Sequence, residues 1–412
     1  MKVEISIGYV WLTLLGFVLS GSVMAMGPHR VLGASRTTGM AKPKPGLLVG
    51  AERLDVWLPH LKGKRFSLCV NQTSMVGAVH LLDTLLALGY RPEQVFGPEH
   101  GFRGDADAGA HVKSEIDQRT GIKLTSLYGK HQKPTAEELQ TTDVVVFDIQ
   151  DVGARFYTYI STMHYLMEAC AENNKELIVL DRPNPMGWAV DGPVLKDTTL
   201  RSFVGMHSLP ILHGLTVGEL ATMINGEGWL RGGLKCQLRV IKVGGDYSHQ
   251  TGYNLPIPPS PNLPNMQAIR LYASLCLFEG TPISVGRGTP FPFQVWGGPD
   301  EAYGKFGFVP KGTANAPKPL NVDQPCWGEN LRQESLPRNK GLSLAWVIRA
   351  YQRCPEGKKA AFFKPFFNKL AGTKELAKQI EAGYTEGQIH QSWQADLNEY
   401  LLLRKRYLLY PE

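Results

Sequence analysis

The chain has 412 residues, of which 43% are apolar and 20% are charged, and its formal net charge is +7. This composition is typical of a globular protein and excludes a disordered chain. No dense run of Lys and Arg with interleaved aromatic residues occurs, so nucleic acid is not an expected partner. The length exceeds that of one ordinary core and predicts two domains.

The first segment is a nearly unbroken apolar run, "ISIGYVWLTLLGFVLSGSVMA", at residues 5–25. It ends in Val23-Met24-Ala25, a small-residue pattern that predicts a signal peptide over 1–25 with cleavage after Ala25. The run is also long enough to span a bilayer, so an uncleaved anchor stays open. With cleavage, we expect no stable membrane insertion and export to the periplasm or cell exterior. Residues 26–45, rich in Gly, Pro and Lys, are predicted to be a linker.

Short apolar runs then alternate with segments of helical periodicity. The predicted strands are "RFSLCVN", "EQVFGPE", "IKLTSLYG", "DVVVFDIQD" and "ELIVLDRPNP", beginning at residues 65, 93, 122, 143 and 176. Helical spacing occurs in "VHLLDTLLALGY" and "TYISTMHYLMEACAENNK", and Thr135 and Glu138 of "TAEEL" have capping-box spacing that predicts a helix start. This strand–helix order predicts an α/β fold with a parallel sheet covered by helices.

The parallel sheet is assigned to a domain of residues 46–235, and a smaller domain to 236–412. The second region contains "YNLPIPPSPNLPN" (253–265), which has too many prolines for regular structure. Residues 309–324 are predicted to be a surface loop, and the C-terminal segment from Trp393 a helix. The six cysteines form no CxxC pair or zinc spacing. Cys69 and Cys170 are expected to be buried, and disulfide pairing stays open.

Polar residues follow the predicted strands. Because ligands of open parallel sheets bind at the carboxyl ends of the strands, these residues are expected to converge on one rim. They are Asn71, Gln72 and Thr73 after the first strand, Glu99, His100 and Arg103 after the second, Asp148, Gln150, Asp151, Arg155 and Tyr157 after the fourth, and Asp181, Arg182 and Asn184 after the fifth.

Structural roles compete with functional ones at each position. Asn71 is equally well explained as a helix cap, and residues 148–157 as a loop held by Asp–Arg ion pairs. A lone histidine such as His100 is more often structural than catalytic. Glu99 lies in "FGPEHGFRGD", where a carboxylate has little capping use and the glycines permit a sharp turn.

Several cofactor and catalytic motifs are absent from the sequence. No G-x-G-x-x-G follows the first strand, no G-x-x-x-x-G-K-[ST] occurs, and no G-x-S-x-G occurs. A dinucleotide site, a P-loop and a serine-hydrolase elbow are therefore not expected, and no cofactor is predicted. Glu99, His100, Asp148 and Asp151 are chemically capable of binding a metal, but no spacing requires one.

The sequence resembles the bacterial exo-β-N-acetylmuramidases of the NamZ type. The resemblance rests on "VNQTS", "FGPEHGFRGD", "VFDIQDVGARFYTYISTM", "LDRPNPMG", "HGLTVGELA", "PPSPNLPN" and "EGTPISVGRGTPFPF", which occur in this order. It covers about 46–298 and resumes at the terminal "RYLLYPE". Between about 309 and 342 it is loose, and "CWGENLRQES" stands where a regular hydrophobic strand is expected.

The resemblance implies a Rossmann-like domain joined to a smaller α/β domain, with the active site in the cleft between them. It implies a glycoside hydrolase that releases non-reducing terminal N-acetylmuramic acid from peptidoglycan fragments, without a nucleotide cofactor. Export would suit that substrate.

Glycoside hydrolysis uses one carboxyl group as an acid and a second group as a base or nucleophile. Glu99 matches the family's Pro-Glu-His motif and is assigned as the acid, with a pKa that should be raised. Asp148 or Asp151 is the expected partner, and Tyr157 is an alternative. Substrate-binding candidates are Asn71, His100 and Asn184, and, for the lactyl carboxylate of muramic acid, Arg103, Arg155, Arg182 and Arg287. At least one of these arginines is expected to pair with an Asp instead.

Two other classes stay open from the sequence. One is a cell-wall binding protein that has lost the chemistry, although intact Glu99, Asp148 and Asp151 argue against it. The other is a metal-dependent hydrolase of phosphate or acyl bonds, which a chelator would inactivate.

Overall fold

The fold is built on a seven-stranded sheet in a computed structural model that describes residues 46–99, 101–102, 115–338 and 341–412. The strand order is β11-β8-β7-β1-β4-β6-β5, and every pairing is parallel except that of β5 with β6. The strands are β1 (Phe66–Val70), β4 (Gln94–Gly97), β5 (Glu115–Asp117), β6 (Ile122–Ser126), β7 (Val144–Asp148), β8 (Glu176–Leu180) and β11 (Gln237–Ile241). Short pairs are formed by β2 (Met75–Val76) with β3 (Val79–His80), and by β9 (Val190–Asp191) with β10 (Leu212–His213).

The two faces of this sheet carry separate apolar layers, because successive residues of a strand point to opposite faces. On one face, Val145 and Phe147 of β7 join a large core with the inward residues of α3 (Tyr159–Glu172) and α4 (Val217–Gly226). On the other, Val144 and Val146 pack in a second core with residues of α1 (Leu54–Trp57) and α2 (Leu81–Ala87). This layering explains why β1 and β7 are buried along their whole length and are apolar except at Ser67 and Asp148.

The predicted parallel α/β fold is confirmed, and the five predicted strands are present. One predicted helix is wrong. In "TAEEL", Thr135 and Glu138 do form the reciprocal capping contacts, at 2.9 and 3.2 Å, but the chain makes only turns. Strand β7 begins at Val144, so the segment is too short to offset the cost of nucleating a helix.

The second region carries a three-stranded antiparallel sheet in the order β12-β14-β13 and most of the remaining helices. The strands are β12 (Val295–Gly298), β13 (Phe306–Phe308) and β14 (Cys326–Asn330). The helices are α5 (Met266–Leu275), α6 (Ala345–Arg353), α7 (Pro365–Ala371), α8 (Glu375–Glu381), α9 (Glu386–Ser392) and α10 (Gln394–Lys405). The fold class with a second, smaller α/β part is thereby confirmed, and the unusual "CWGEN" segment is itself the central strand of this sheet.

Other expectations for the second region agree with the structure. Residues 253–265 and 309–324 contain no helix or regular strand, and a helix follows Trp393 as predicted. The division at 235/236 stays a prediction, and β11, just after it, belongs to the main sheet. All six cysteines are buried and unpaired. Within the described ranges, no helix is long and apolar enough to cross a membrane. The predicted signal peptide and linker lie outside the described residues.

Candidate active site

The carboxyl edge of the main sheet gathers the predicted polar residues. Strands β1, β4, β7 and β8 run parallel, so Asn71, Glu99, Asp148 and Asp181 all lie at the same edge, as expected. They do not all face open space. Asp181 is fully buried, and its carboxylate accepts hydrogen bonds from the Tyr410 hydroxyl at 2.6 Å and the Thr216 hydroxyl at 2.7 Å. Burial raises the pKa of Asp181 to about 6. The terminal "RYLLYPE" motif is thus anchored to the sheet edge through Tyr410.

The loop after β4 turns sharply, which positions Glu99. Gly101 has φ of 75° and its backbone N–H donates to the Pro98 carbonyl at 2.9 Å. A Cβ on Gly97 would lie 3.2 Å from the Phe102 backbone nitrogen. Glycine is favoured at both positions, since one has a left-handed conformation and the other a close backbone approach.

A pocket of about 190 Å³ opens beside Glu99. Its wall on the sheet side comes from the loop after β4 and from the segment that leads into α3. The opposite wall comes from the proline-rich segment 253–265, from α5 and from residues 276–293. The lining includes Glu99, Tyr128, Tyr157, Thr158, Tyr159, Asn262, Tyr272, Cys276, Glu279, Arg287 and Phe293.

This pocket is the point at which the distinctive sequence motifs converge. Glu99 comes from "FGPEHGFRGD", Tyr157 from "VFDIQDVGARFYTYISTM" and Asn262 from "PPSPNLPN". Glu279 and Arg287 both come from "EGTPISVGRGTPFPF". These segments are far apart in sequence and build one cavity, so the pocket is the candidate active site. A second cavity of about 570 Å³, which Arg270 and Trp346 line, takes no residue from these four segments, and of the family motifs only "LDRPNPMG" reaches its described lining, through Met186.

Glu99 is surrounded by hydroxyl groups. The Thr158 hydroxyl donates to Glu99 Oε2 at 2.8 Å, and the Tyr159 hydroxyl donates to the Glu99 carbonyl at 3.3 Å. Burial and the nearby Glu99 carboxylate both raise the pKa of Tyr128, whose hydroxyl therefore stays protonated as a donor. The carboxylate is thus oriented by neutral donors.

Arg287 and Glu279 form an ion pair on the opposite wall. Arg287 Nε donates to Glu279 Oε1 at 2.7 Å, and the guanidinium lies over the Phe293 ring, 5.1 Å from its centroid. Burial alone would lower the pKa of Arg287, but the Glu279 carboxylate, together with Tyr272 and Cys276, more than offsets this and raises it. The Arg287 side chain is 29% exposed, so part of the guanidinium faces the pocket.

Two further pocket residues have distinct polar properties. Asn262 is buried, and its Nδ2 has no hydrogen-bond partner among the described residues. An unpaired buried amide is costly, so this group is suited to donate to a bound molecule. Tyr157 lines the pocket with its ring edge-on to Tyr159, at 4.9 Å between centroids, while its hydroxyl donates to the Pro259 carbonyl at 2.8 Å. Burial raises the pKa of Tyr157 well above its ordinary value.

Asp148 and Arg182 are occupied with each other. Arg182 Nε and Nη2 donate to the two Asp148 oxygens at 2.6 and 2.8 Å, and both side chains are almost wholly buried, at 3% and 0% exposed. Arg182 Nη2 also donates to the Met75 carbonyl at 3.1 Å. Neither residue lines the pocket. The expectation that one of the arginines pairs with an Asp is confirmed here.

Asp151 is buried behind the pocket. Its Oδ2 accepts a hydrogen bond from the Gly153 N–H at 2.7 Å and lies 3.4 Å from His213 Nε2. Its Oδ1 is buried and has no partner among the described residues. Asp151 does not line the pocket, although its charge is close enough to contribute to the raised pKa of Tyr157.

Three other predicted binding residues are buried among structural partners. Asn71 Oδ1 accepts from the Thr73 backbone N–H at 2.9 Å, and the Asn184 side chain donates to the Leu215 carbonyl at 2.8 Å. Arg155 donates to the carbonyls of Pro193, Leu209 and Leu370 at 2.6–2.8 Å, and burial lowers its pKa to about 9. These contacts favour structural roles for Asn184 and Arg155, whereas the buried Asn71 Nδ2 has no hydrogen-bond partner among the described residues.

Two predicted residues, His100 and Arg103, lie outside the described residues. The described part of the chain contains no group of three or more His, Cys, Asp or Glu side chains arranged to hold a metal ion. The residues that sequence reasoning missed are Tyr128, Thr158, Asn262 and Glu279. Thr158, Asn262 and Glu279 belong to motifs that carry the family resemblance, and this membership was the sequence signal available for them.

Two family models together match most of the chain. Residues 66–267 match the model described as exo-beta-N-acetylmuramidase NamZ, N-terminal, and residues 270–410 match its C-terminal counterpart. A peptidoglycan beta-N-acetylmuramidase NamZ from Bacillus subtilis (strain 168) is 37% identical over 400 residues, which covers 89% of this chain and 92% of the relative.

Solved structures show the same fold. A DUF1343 family protein from Bacteroides fragilis is similar with a TM-score of 0.82 and 45% identity, covering 89% of this chain and 99% of that one. A second DUF1343 family protein from Bacteroides fragilis has a TM-score of 0.74 and 30% identity, covering 89% of this chain and 100% of that one. The chain therefore belongs to the NamZ family of exo-β-N-acetylmuramidases.

Proposed function

We propose that this protein is an exo-β-N-acetylmuramidase that releases non-reducing terminal N-acetylmuramic acid from peptidoglycan fragments. The observation that carries the proposal is the convergence of the family motifs on one pocket that contains Glu99, Glu279 and Arg287. The pocket offers a carboxyl group for proton transfer and a cation for the acidic sugar. A binding protein without chemistry would not need a second carboxylate there.

Glu99 is proposed as the general acid that protonates the leaving oxygen of the β-glycosidic bond. It lies at the carboxyl edge of the sheet, and the Thr158 hydroxyl holds one of its oxygens at 2.8 Å. General acid catalysis requires this group within hydrogen-bond reach of the oxygen that it protonates.

Arg287 is proposed to bind the lactyl carboxylate of muramic acid. One edge of its guanidinium is taken by Glu279, but Arg has five N–H donors, so others remain for a ligand. Asn262 Nδ2 is a further donor for a hydroxyl or acetamido oxygen. Because Arg155 and Arg182 have their donors directed to buried structural partners, Arg287 is the strongest described candidate.

The test is an assay of the purified protein with a chromogenic N-acetyl-β-muramide beside the matched N-acetyl-β-glucosaminide. We expect release of the chromophore from the muramide with strong selectivity, and unchanged activity in a chelator. Activity on neither sugar would contradict the proposal. Loss of activity in the chelator, restored by metal, would favour a metal-dependent hydrolase.

Replacing Arg287 with Lys should reduce selectivity for the muramide over the glucosaminide. Lys keeps the positive charge near Glu279 but loses the planar fork that matches a carboxylate. A loss of one charge-assisted hydrogen bond, about 1.5–3 kcal/mol, corresponds to roughly 10–160-fold in the ratio of kcat/KM values. Arg270→Lys is the matched control, since Arg270 is exposed on α5 and does not line the pocket. Equal selectivity in both variants would remove Arg287 from recognition.

We further propose that the protein is exported, with cleavage after Ala25. The support is the apolar run at residues 5–25 and the cell-wall location of the proposed substrate. N-terminal sequencing of the protein recovered from the native host would give a chain that starts at Met26. A chain that retains residues 1–25 in the membrane fraction would favour the uncleaved anchor.

A further inference from the structure

The pocket contains a second carboxylate, Glu279, on the wall opposite the main sheet. Of the described residues that line the pocket, Glu99 and Glu279 are the ones with carboxyl groups. Asp148 and Asp151, which the sequence suggested as the partner of Glu99, are buried and lie outside the lining. Glu279 is therefore the residue in this pocket that can serve as the second carboxylate of a two-carboxylate mechanism.

The surroundings of the two carboxylates differ in charge. Glu279 Oε1 accepts a hydrogen bond from the cationic Arg287 guanidinium at 2.7 Å. Glu99 is contacted instead by the neutral hydroxyls of Thr158 and Tyr128. In glycosidases, the two catalytic carboxyl groups take different roles, one as acid and one as ionised partner, because their environments differ.

Within the described part of the chain, no cation contacts the other oxygen of Glu279. Oε2 accepts a contact from the Cys276 thiol, with Sγ at 3.7 Å. A thiol is a weak donor, so it leaves the lone pairs of Oε2 available. The ion pair on Oε1 fixes the position of the carboxylate, and Oε2 is the oxygen through which it can attack a carbon atom of the substrate.

We propose that Glu279 is the nucleophile of a retaining hydrolysis, an inference that rests on the muramidase function proposed above. In the first step, Glu279 Oε2 bonds to C1 of the muramic acid while the bond from C1 to the leaving oxygen breaks. The electron pair of that bond goes to the leaving oxygen, which takes the proton of Glu99. In the second step, a water oxygen bonds to C1, the bond from C1 to Oε2 breaks with its pair returning to Glu279, and Glu99 regains a proton from the water.

This assignment carries a stereochemical expectation. Two inversions at C1 give a β-anomer as the first product, and the carboxyl carbons of a retaining pair are typically about 5–5.5 Å apart. Proton NMR of the reaction at early times, before mutarotation, identifies the first anomer. The α-anomer as the first product of the wild-type enzyme would overturn the proposal, because it requires one displacement by water.

The decisive experiment removes the Glu279 side chain and offers azide in its place. Glu279→Gly should lower kcat on a 4-nitrophenyl muramide by on the order of 10⁴–10⁶-fold, as loss of a nucleophilic machinery does in other hydrolases. Azide that enters the vacated space should attack C1 from the same side and form the α-muramyl azide, with recovery of nitrophenol release. Circular dichroism and an unfolding curve check that the variant is folded.

Glu99→Gly is the complementary variant. There azide should attack the glycosyl ester formed on Glu279 and give the β-muramyl azide. If the two variants form opposite anomers of the muramyl azide, the two carboxylates lie on opposite faces of C1.

Two outcomes would contradict the assignment while the wild-type enzyme still cleaves the muramide. If Glu279 only positions Arg287, Glu279→Gly will raise KM, retain most of kcat and form no azide product. If the acetamido group of the substrate is the nucleophile, as in substrate-assisted families, Glu279→Gly will lower kcat without forming azide product. Failure of the wild-type enzyme to cleave any muramide would instead reject the function itself.

Discussion

Replacing Glu99 with Gln should lower turnover of an unactivated muramic acid disaccharide by about 10²–10⁴-fold, the range typical of general acid catalysis. Gln keeps the size of the side chain and can still accept the hydrogen bond from the Thr158 hydroxyl, which lies 2.8 Å from Glu99 Oε2. It cannot give a proton to the leaving oxygen. The fold should survive, because Glu99 faces the pocket and forms no ion pair among the described residues.

Comparing substrates with different leaving groups distinguishes a general-acid role of Glu99 from other catalytic roles. A nitrophenol departs without much protonation, so the loss for a nitrophenyl muramide should be much smaller than the loss for the disaccharide. Steady-state kinetics of both substrates with wild type and Glu99→Gln measure the difference. Equal losses on the two substrates would assign Glu99 another catalytic role, and full activity on the disaccharide would remove it from the mechanism.

Thr158→Val is a matched control for orientation. It removes the hydroxyl that binds Glu99 while leaving the carboxyl group in place. We expect a smaller loss of kcat than in Glu99→Gln and a similar proportional loss on both substrates, because the proton can still be delivered.

The main sheet was predictable because its strands carry a strong local signal. Strands such as β7 are buried on both faces, so their sequences are apolar almost to the end, as in Val144–Phe147. The polar residues that follow them mark the carboxyl edge, and this placed Glu99 correctly beside the pocket. The same reasoning could not tell that Glu99 lines the pocket while Asp148 is buried in an ion pair. Both are carboxylates at strand ends, and the sequence does not show that Arg182, 34 residues further along the chain, binds Asp148.

The second wall of the pocket lacked a comparable signal. Asn262 and Glu279 lie in segments without helical or strand periodicity, and their approach to Glu99 depends on how the second region packs. Arg287 was selected for its chemistry, but its partner Glu279 was not, although both belong to one short motif. Local sequence patterns predict the strands of one sheet well. The pocket has walls from two regions of the chain, so its composition depends on tertiary contacts that such patterns do not contain.

Replacing Asp148 with Asn should destabilise the protein by about 3–5 kcal/mol, because it leaves the buried Arg182 charge without its counter-charge. The pair is bidentate, with nitrogen–oxygen distances of 2.6 and 2.8 Å, and the Asp148 side chain is fully buried. The Asp148 carbonyl also accepts a hydrogen bond from the Ser74 hydroxyl, which links the pair to the loop after β1. Urea unfolding curves of both proteins give the difference in free energy of unfolding.

Asp143→Asn is the matched control for Asp148→Asn. Asp143 directly precedes the same strand β7 and also binds an arginine through both oxygens, with Arg65 nitrogens at 3.2 and 2.7 Å. That pair is exposed, with side-chain exposures of 52% for Arg65 and 39% for Asp143, so solvent screens it and its loss should cost much less. The double variant Asp148→Asn, Arg182→Met should recover stability relative to Asp148→Asn, because it also removes the unpaired charge.

Activity of the folded protein decides between a structural and a catalytic Asp148. Because Asp148 does not line the pocket, Asp148→Asn measured at a temperature where it is fully folded should retain much of the wild-type kcat. The opposite result, normal stability with a loss of kcat comparable to that of Glu99→Gln, would show that Asp148 takes part in the chemistry. We expect lower stability with most of kcat retained, because the buried Asp148–Arg182 ion pair stabilises the carboxyl ends of the strands and does not contact the substrate.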